Sequence, residues 1–169
     1  VPHRLDMSPQ IESDYSEDGL KAILSTRDLG TGNQRFAVLL ISKTGFITNE
    51  PVNISISYVQ KNKDNPQSQK KTATFYQWEN LFKGSYVADF NFNKSGTWEA
   101  LIEVLNENNN ITKSTTIKFE VKKTPYTTKI GKTAKLTKTK TINDVNSLKE
   151  LSTGSKIYPN LYQDSLDNA

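Results

Sequence analysis

The sequence predicts an all-β protein, a seven-stranded antiparallel sandwich, and three observations carry that reading. Short segments of alternating apolar and polar residues recur from Leu20 to Val121, and a period of two marks a strand with one buried face. Turn-forming stretches, "GTGN", "KTG", "NKSG" and "ENNN", separate the segments and supply the Gly and Asn that tolerate positive φ. No helical period intervenes, and the chain is rich in Thr, Ile, Val, Tyr and Phe, which suit a pleated, half-buried surface.

The segments run over 20–27, 35–42, 51–60, 71–76, 84–92, 97–106 and 111–121. The clearest is "VNISISY", in which Val52, Ile54, Ile56 and Tyr58 face one way and Asn53, Ser55 and Ser57 the other. Seven strands at this spacing predict an immunoglobulin-like pair of facing sheets over 20–121. The residues expected inside are Phe36, Val38, Ile54, Ile56, Tyr86, Phe90, Phe92, Trp98, Ile102 and Phe119. "NKSG" is expected to close a hairpin, so that Phe92 and Trp98 meet as a cross-strand pair. Glu99 and Glu103, alternating with apolar neighbours, are expected to face solvent.

The flanking segments carry other patterns. Residues 1–19 are polar, acidic toward their end and without period, which predicts an irregular lead-in. Residues 122–142 hold seven Lys and an acid only at Asp144 beyond them, which predicts an extended linker held open by charge repulsion. Over 143–169, "INDVNSLKELS" predicts a short helix capped by Asn143 or Asp144, and "YQDSLDNA" a second one capped by Asp164 or Ser165. The formal net charge of +4 belongs to this tail, because residues 1–121 hold 13 Lys/Arg against 14 Asp/Glu.

Candidate chemistry is sparse. The single histidine, His3, lies in the lead-in, and there is no cysteine, so a thiol nucleophile and a disulfide are excluded and a Ser-His system has no base in a patterned segment. His3 and Met7 are candidate soft-metal ligands, but a square-planar copper site would need a backbone amide proton that Pro2 does not have. No cofactor and no catalytic residue is therefore expected. The basic linker has no Arg and one aromatic, Tyr126, so a solvated spacer is favoured over a nucleic-acid contact. The longest apolar run, "FAVLLI", is far short of the roughly 20 residues that span a bilayer.

One segment breaks the alternation. In "TFYQWENLFKG", residues 74–84, five large apolar side chains surround an expected loop, and Tyr76 and Trp78 are the candidate contact residues for a partner.

The stretches "GNQRFAVLLISKTGFITNEPVNISISY", "GSYVADFNFNKSGTWEALIEV" and "IKFEV" resemble the YtkA-like and FixH-like sandwich modules of exported bacterial proteins, through Gly32, Arg35, Phe36, Gly45, Pro51, Tyr86, Gly96 and Trp98. The tail is similar to the connector that leads from such a module into a thioredoxin domain, through Gly131, Ala134, Thr141, Asp144, Pro159, Leu161, Tyr162, Ser165 and Leu166. It departs from that pattern at Lys135, where a proline is usual. The resemblance implies a non-catalytic, extracytoplasmic accessory module, with an adjacent thioredoxin-like domain or another protein as partner and with a missing N-terminal segment placing it near a membrane. Two alternatives stay open from the residues themselves. One is a free-standing adhesion sandwich binding carbohydrate or protein through 74–84; the other is a copper-binding accessory using His3 and Met7.

Overall fold

The computed structural model describes residues 10–59, 68–127, 131–133 and 137–166 of the 169-residue chain. Eight strands form in these residues: β1 (Leu20–Leu24), β2 (Gly32–Ser42), β3 (Gly45–Phe46), β4 (Val52–Tyr58), β5 (Ser68–Gln77), β6 (Gly84–Phe92), β7 (Gly96–Leu105) and β8 (Ile111–Val121). Seven of them overlie the seven alternating segments; the two-residue β3, paired back onto β2, is additional. It is too short for any period to mark it in the sequence.

All pairings between strands are antiparallel, and the order is β1-β2-β6-β5-β4-β7-β8. The sheet bends at β5, which pairs with β4 from Ser68 to Ala73 and with β6 from Thr74 to Gln77. The outer strands β1 and β8 approach one another, so the sheet is nearly closed. Two devices cover the seam. Near one end the lead-in lies along β1, with Ser13 N–H donating to the Ala22 carbonyl and Leu24 N–H to the Ile11 carbonyl, both at 2.9 Å. The buried Ser13 hydroxyl then accepts from Thr115 of β8 at 3.1 Å. At the other end Gly30 and Lys122 form a parallel bridge. The lead-in is thus irregular but docked, and its backbone occupies donors and acceptors that β1 would otherwise present as a bare edge.

The interior is one apolar cluster that contains all ten residues expected there, each no more than 3% exposed. Its centre is aromatic. Phe36 packs on Phe119 at 5.0 Å between ring centroids, Phe92 meets Phe119 at 5.9 Å, and Phe92 meets Trp98 edge-to-face at 5.1 Å. The Trp98 indole N–H donates to the Lys94 carbonyl at 3.0 Å, so the buried ring leaves no polar atom unsatisfied. Tyr86 is fully buried; its hydroxyl accepts from Glu50 N–H at 3.2 Å, and burial pushes the phenol pKa up to about 12.

Three expectations are corrected. "NKSG" does not close a hairpin: β6 pairs with β2 and β5, β7 with β4 and β8, and the exposed stretch carries the chain from one set of strands to the other. Phe92 and Trp98 meet through the core rather than along a ladder, since alternation determines which way a side chain faces but not which strand lies beside it. Gly96 is needed at this crossing: its φ is +125°, and a Cβ there would sit 2.9 Å from the Tyr58 hydroxyl. Glu103 does not face open solvent. It lies on a central strand between Asn53 and Ser114, is 9% exposed, and accepts from Lys70 Nζ at 2.8 Å. Glu99 is half-buried, with Lys118 at 3.9 Å.

The third correction concerns the tail. The first unit extends to Thr127, past the end of β8 at Val121. Asp28 holds the additional residues: its carboxylate accepts from Lys122 Nζ at 2.8 Å, Thr127 N–H at 2.7 Å and the Thr127 hydroxyl at 2.9 Å. Within the second unit the helical turns are 3₁₀, at Ile142–Asp144, Leu148–Glu150 and Pro159–Tyr162. The first two are capped by Thr141 and Ser147, whose backbones are extended, and Asp144 closes the first box from inside the turn instead of capping it. Ser165 is buried, and its hydroxyl accepts from Thr139 N–H at 2.8 Å; the second expected helix runs into residues outside the described ones.

Two predictions follow from the core and from the Asp28 cluster. Trp98→Ala lowers the free energy of unfolding by about 3–5 kcal/mol, measured by urea denaturation, whereas Phe82→Ala, at a fully exposed position, changes it by less than about 0.5 kcal/mol. Burial alone would raise the Asp28 carboxyl, but the hydrogen bonds from Lys122, from the Thr127 and Tyr126 backbone and from the Thr127 hydroxyl outweigh it and hold the pKa well below the usual carboxylate range. A depressed folded-state pKa stabilises above the unfolded value, near 4, and the gain fades as pH falls from there toward the folded value. Asp28→Asn is therefore less stable than wild type at neutral pH, and the gap narrows below about pH 4.

Candidate interaction surface

The hairpin between β5 and β6 carries Phe82, the most exposed large apolar side chain among the described residues. Trp78 N–H donates to the Lys83 carbonyl at 3.0 Å and Leu81 N–H to the Trp78 carbonyl at 3.1 Å, closing a short loop whose tight point is Asn80, with φ +59°. Gln77 Nε2 adds a bond to the Leu81 carbonyl at 3.0 Å. The loop is therefore held by its own backbone, and Leu81 and Phe82 project from it; Phe82 is 96% exposed. Gly84 makes the entry into β6 possible, because a Cβ there would stand 2.2 Å from the Tyr76 carbonyl oxygen.

The alternation of β5 continues up to this loop. Phe75 turns inward onto Tyr86, with ring centroids 5.0 Å apart, and Tyr76 turns outward, 57% exposed. Tyr76 lies opposite Ser85 in the register, and the Trp78 indole N–H reaches the Ser85 hydroxyl at 3.2 Å. Paired residues share a sheet face, so the Trp78 ring lies back over the outer face beside Tyr76. Trp78 remains 36% exposed.

A second loop joins this surface. The Lys83 ammonium stands 5.0 Å from the Trp78 ring centroid and 5.6 Å from that of Phe46, an exposed residue of β3 paired with Ile41. Contacts of this kind contribute about 0.5–1 kcal/mol each at exposed sites, and here one cation ties two loops together. Phe46 and Lys83 were absent from the sequence expectation. "KTG" identifies a turn in which Phe46 follows Gly45, but nothing local says that this turn ends beside residues 78–83.

Of the predicted site residues, Tyr76 and Trp78 thus belong to one surface, while His3 and Met7 lie outside the described residues. Among the described residues no three His, Cys, Asp or Glu side chains group in a way that could hold a metal ion, and no helix is long and apolar enough to cross a membrane. No protein-family model, curated protein or solved structure matches the chain.

The two tryptophans should separate cleanly by fluorescence. Trp98 is fully buried and Trp78 partly exposed, so acrylamide quenches two populations in the native protein. Trp78→Phe leaves a single blue-shifted, protected emission.

Proposed function

We propose that this chain is a binding module without catalytic chemistry of its own, an immunoglobulin-like β-sandwich of an exported protein that engages a protein partner through Phe46, Tyr76, Trp78, Leu81 and Phe82. The sandwich reading is supported by the strand order: β1-β2-β6-β5 and β5-β4-β7-β8 form two faces that share β5 and enclose one apolar core. The binding reading rests on a single observation. A backbone-locked loop exposes Phe82 almost completely and holds Trp78 and Phe46 around one ammonium group. A cluster of this kind has no role in packing the core, and aromatic side chains with a positive charge among them are the usual anchors of protein interfaces.

The partner class follows from the resemblance of the tail to a thioredoxin-domain connector, which favours an adjacent or separate thioredoxin-like protein outside the cytoplasm. A photo-crosslinking residue placed at Phe82 in the native host tests both parts. The expected result is one crosslinked protein with a thioredoxin-like domain, with the same probe at Lys118 giving none. Trp78→Ala or Phe82→Asp weakens that complex by about tenfold or more, as loss of an interface anchor does, while the midpoint of unfolding for Phe82→Asp stays at the wild-type value. A glycan captured instead would favour an adhesion module. Equal capture from Phe82 and Lys118 would remove the aromatic surface from consideration.

A further inference from the structure

The opposite end of the first unit carries a cavity of different chemistry. It measures about 520 Å³ and is lined by Thr31, Tyr58, Asn93, Lys94, Ser95 and Lys123. These residues come from four pieces of chain: the β1–β2 connection, the end of β4, the β6–β7 crossing and the residues after β8. The lining holds two ammonium groups, three hydroxyls and an amide, and no carboxylate.

Among the described residues no carboxylate lines this space. Neither Lys94 nor Lys123 makes an ion pair among the described residues, and the Lys94 ammonium stands 5.7 Å from the centroid of the Tyr58 ring. Of the described acids nearby, Asp28 accepts from Lys122 and Thr127, and Glu120 accepts from the Thr97 hydroxyl. Two lysines lining one open depression favour an anion, because charge-assisted hydrogen bonds are the strong ones.

The walls are fixed from both sides. The Trp98 indole holds the Lys94 carbonyl at 3.0 Å, and Tyr58 packs edge-on against Trp98 at 5.5 Å. Across the cavity the Thr31 hydroxyl donates to the Lys123 carbonyl at 3.1 Å, and Thr31 N–H to the Lys122 carbonyl at 3.0 Å. A ligand entering here meets backbone already held by these bonds, which lowers the entropic cost of binding.

We infer that this cavity binds a small ligand bearing one oxyanion group, a carboxylate or a phosphate on a compact polar body. Lys94 and Lys123 meet the charge, and the Thr31, Tyr58 and Ser95 hydroxyls hydrogen-bond to the ligand. The inference is independent of the aromatic surface at the other end.

The test is an NMR titration of the full chain at constant ionic strength with inorganic phosphate, glucuronate and neutral glucose, since screening would otherwise change with each addition. The expected result is saturable shifts of the Thr31, Tyr58, Ser95 and Lys123 amides with phosphate or glucuronate and none with glucose; whichever binds tighter names the oxyanion. In the Lys94→Ala, Lys123→Ala double variant the dissociation constant rises about tenfold or more. In Lys43→Ala, Lys118→Ala it is unchanged. Unchanged peak dispersion verifies that both variants are folded. Non-saturating shifts, shifts spread over the lysines of 122–140, an equal response to glucose, or undiminished binding by the first double variant would overturn the inference.

Discussion

Trp98 stands where the two faces of the sheet meet, with the Phe92 ring edge-on at 5.1 Å, Tyr58 at 5.5 Å and its own N–H bound by the Lys94 carbonyl. Phe92 continues the contact to Phe119, and Phe119 to Phe36, so one chain of rings joins β7 and β8 to β6 and β2. No backbone hydrogen bond links β6 with β7, although they are consecutive. Side-chain packing therefore holds these two strands against each other, while each is laddered to other strands. Aromatic rings suit the task because each buries a large apolar area and constrains the angle of its neighbour. The same contact fixes the turn at Lys94, and with it one wall of the cationic cavity.

The topology sends different chemistry to the two ends of the first unit. Loops at the Gly84 end carry exposed rings around Lys83, and loops at the Gly96 end carry Lys94 and Lys123 around a polar space. Each set is anchored by backbone hydrogen bonds, so neither needs the core to move in order to present its side chains. This is how a rigid β scaffold commonly hosts recognition: strands supply position, and connections supply contact.

Charge is distributed to match. Up to Val121 the chain is nearly balanced, and its exposed pairs, such as Arg35 with Asp89, contribute little. Asp28 is the exception, since it is partly covered and accepts from both Lys122 and Thr127. It draws the first residues of the basic tail onto the fold against the repulsion that the neighbouring lysines exert. The lead-in plays the corresponding role at the other end of the seam through Ser13 and Thr115.

Much of this was legible in the residues alone. Period-two alternation placed Tyr86, Phe90, Phe92 and Trp98 inside, and the broken period at 74–84 pointed to Tyr76 and Trp78, because burial and turn chemistry are local signals carried by each segment. Partnership between segments is not local. The switch of β5 from β4 to β6, the crossing at "NKSG", the cover that Lys70 places over Glu103 and the meeting of Phe46 with Lys83 all depend on distant strands being packed together. A strand's own sequence states which face it buries. Only the competition among all the strands for one shared core decides what lies beside it, and both candidate surfaces are products of that decision.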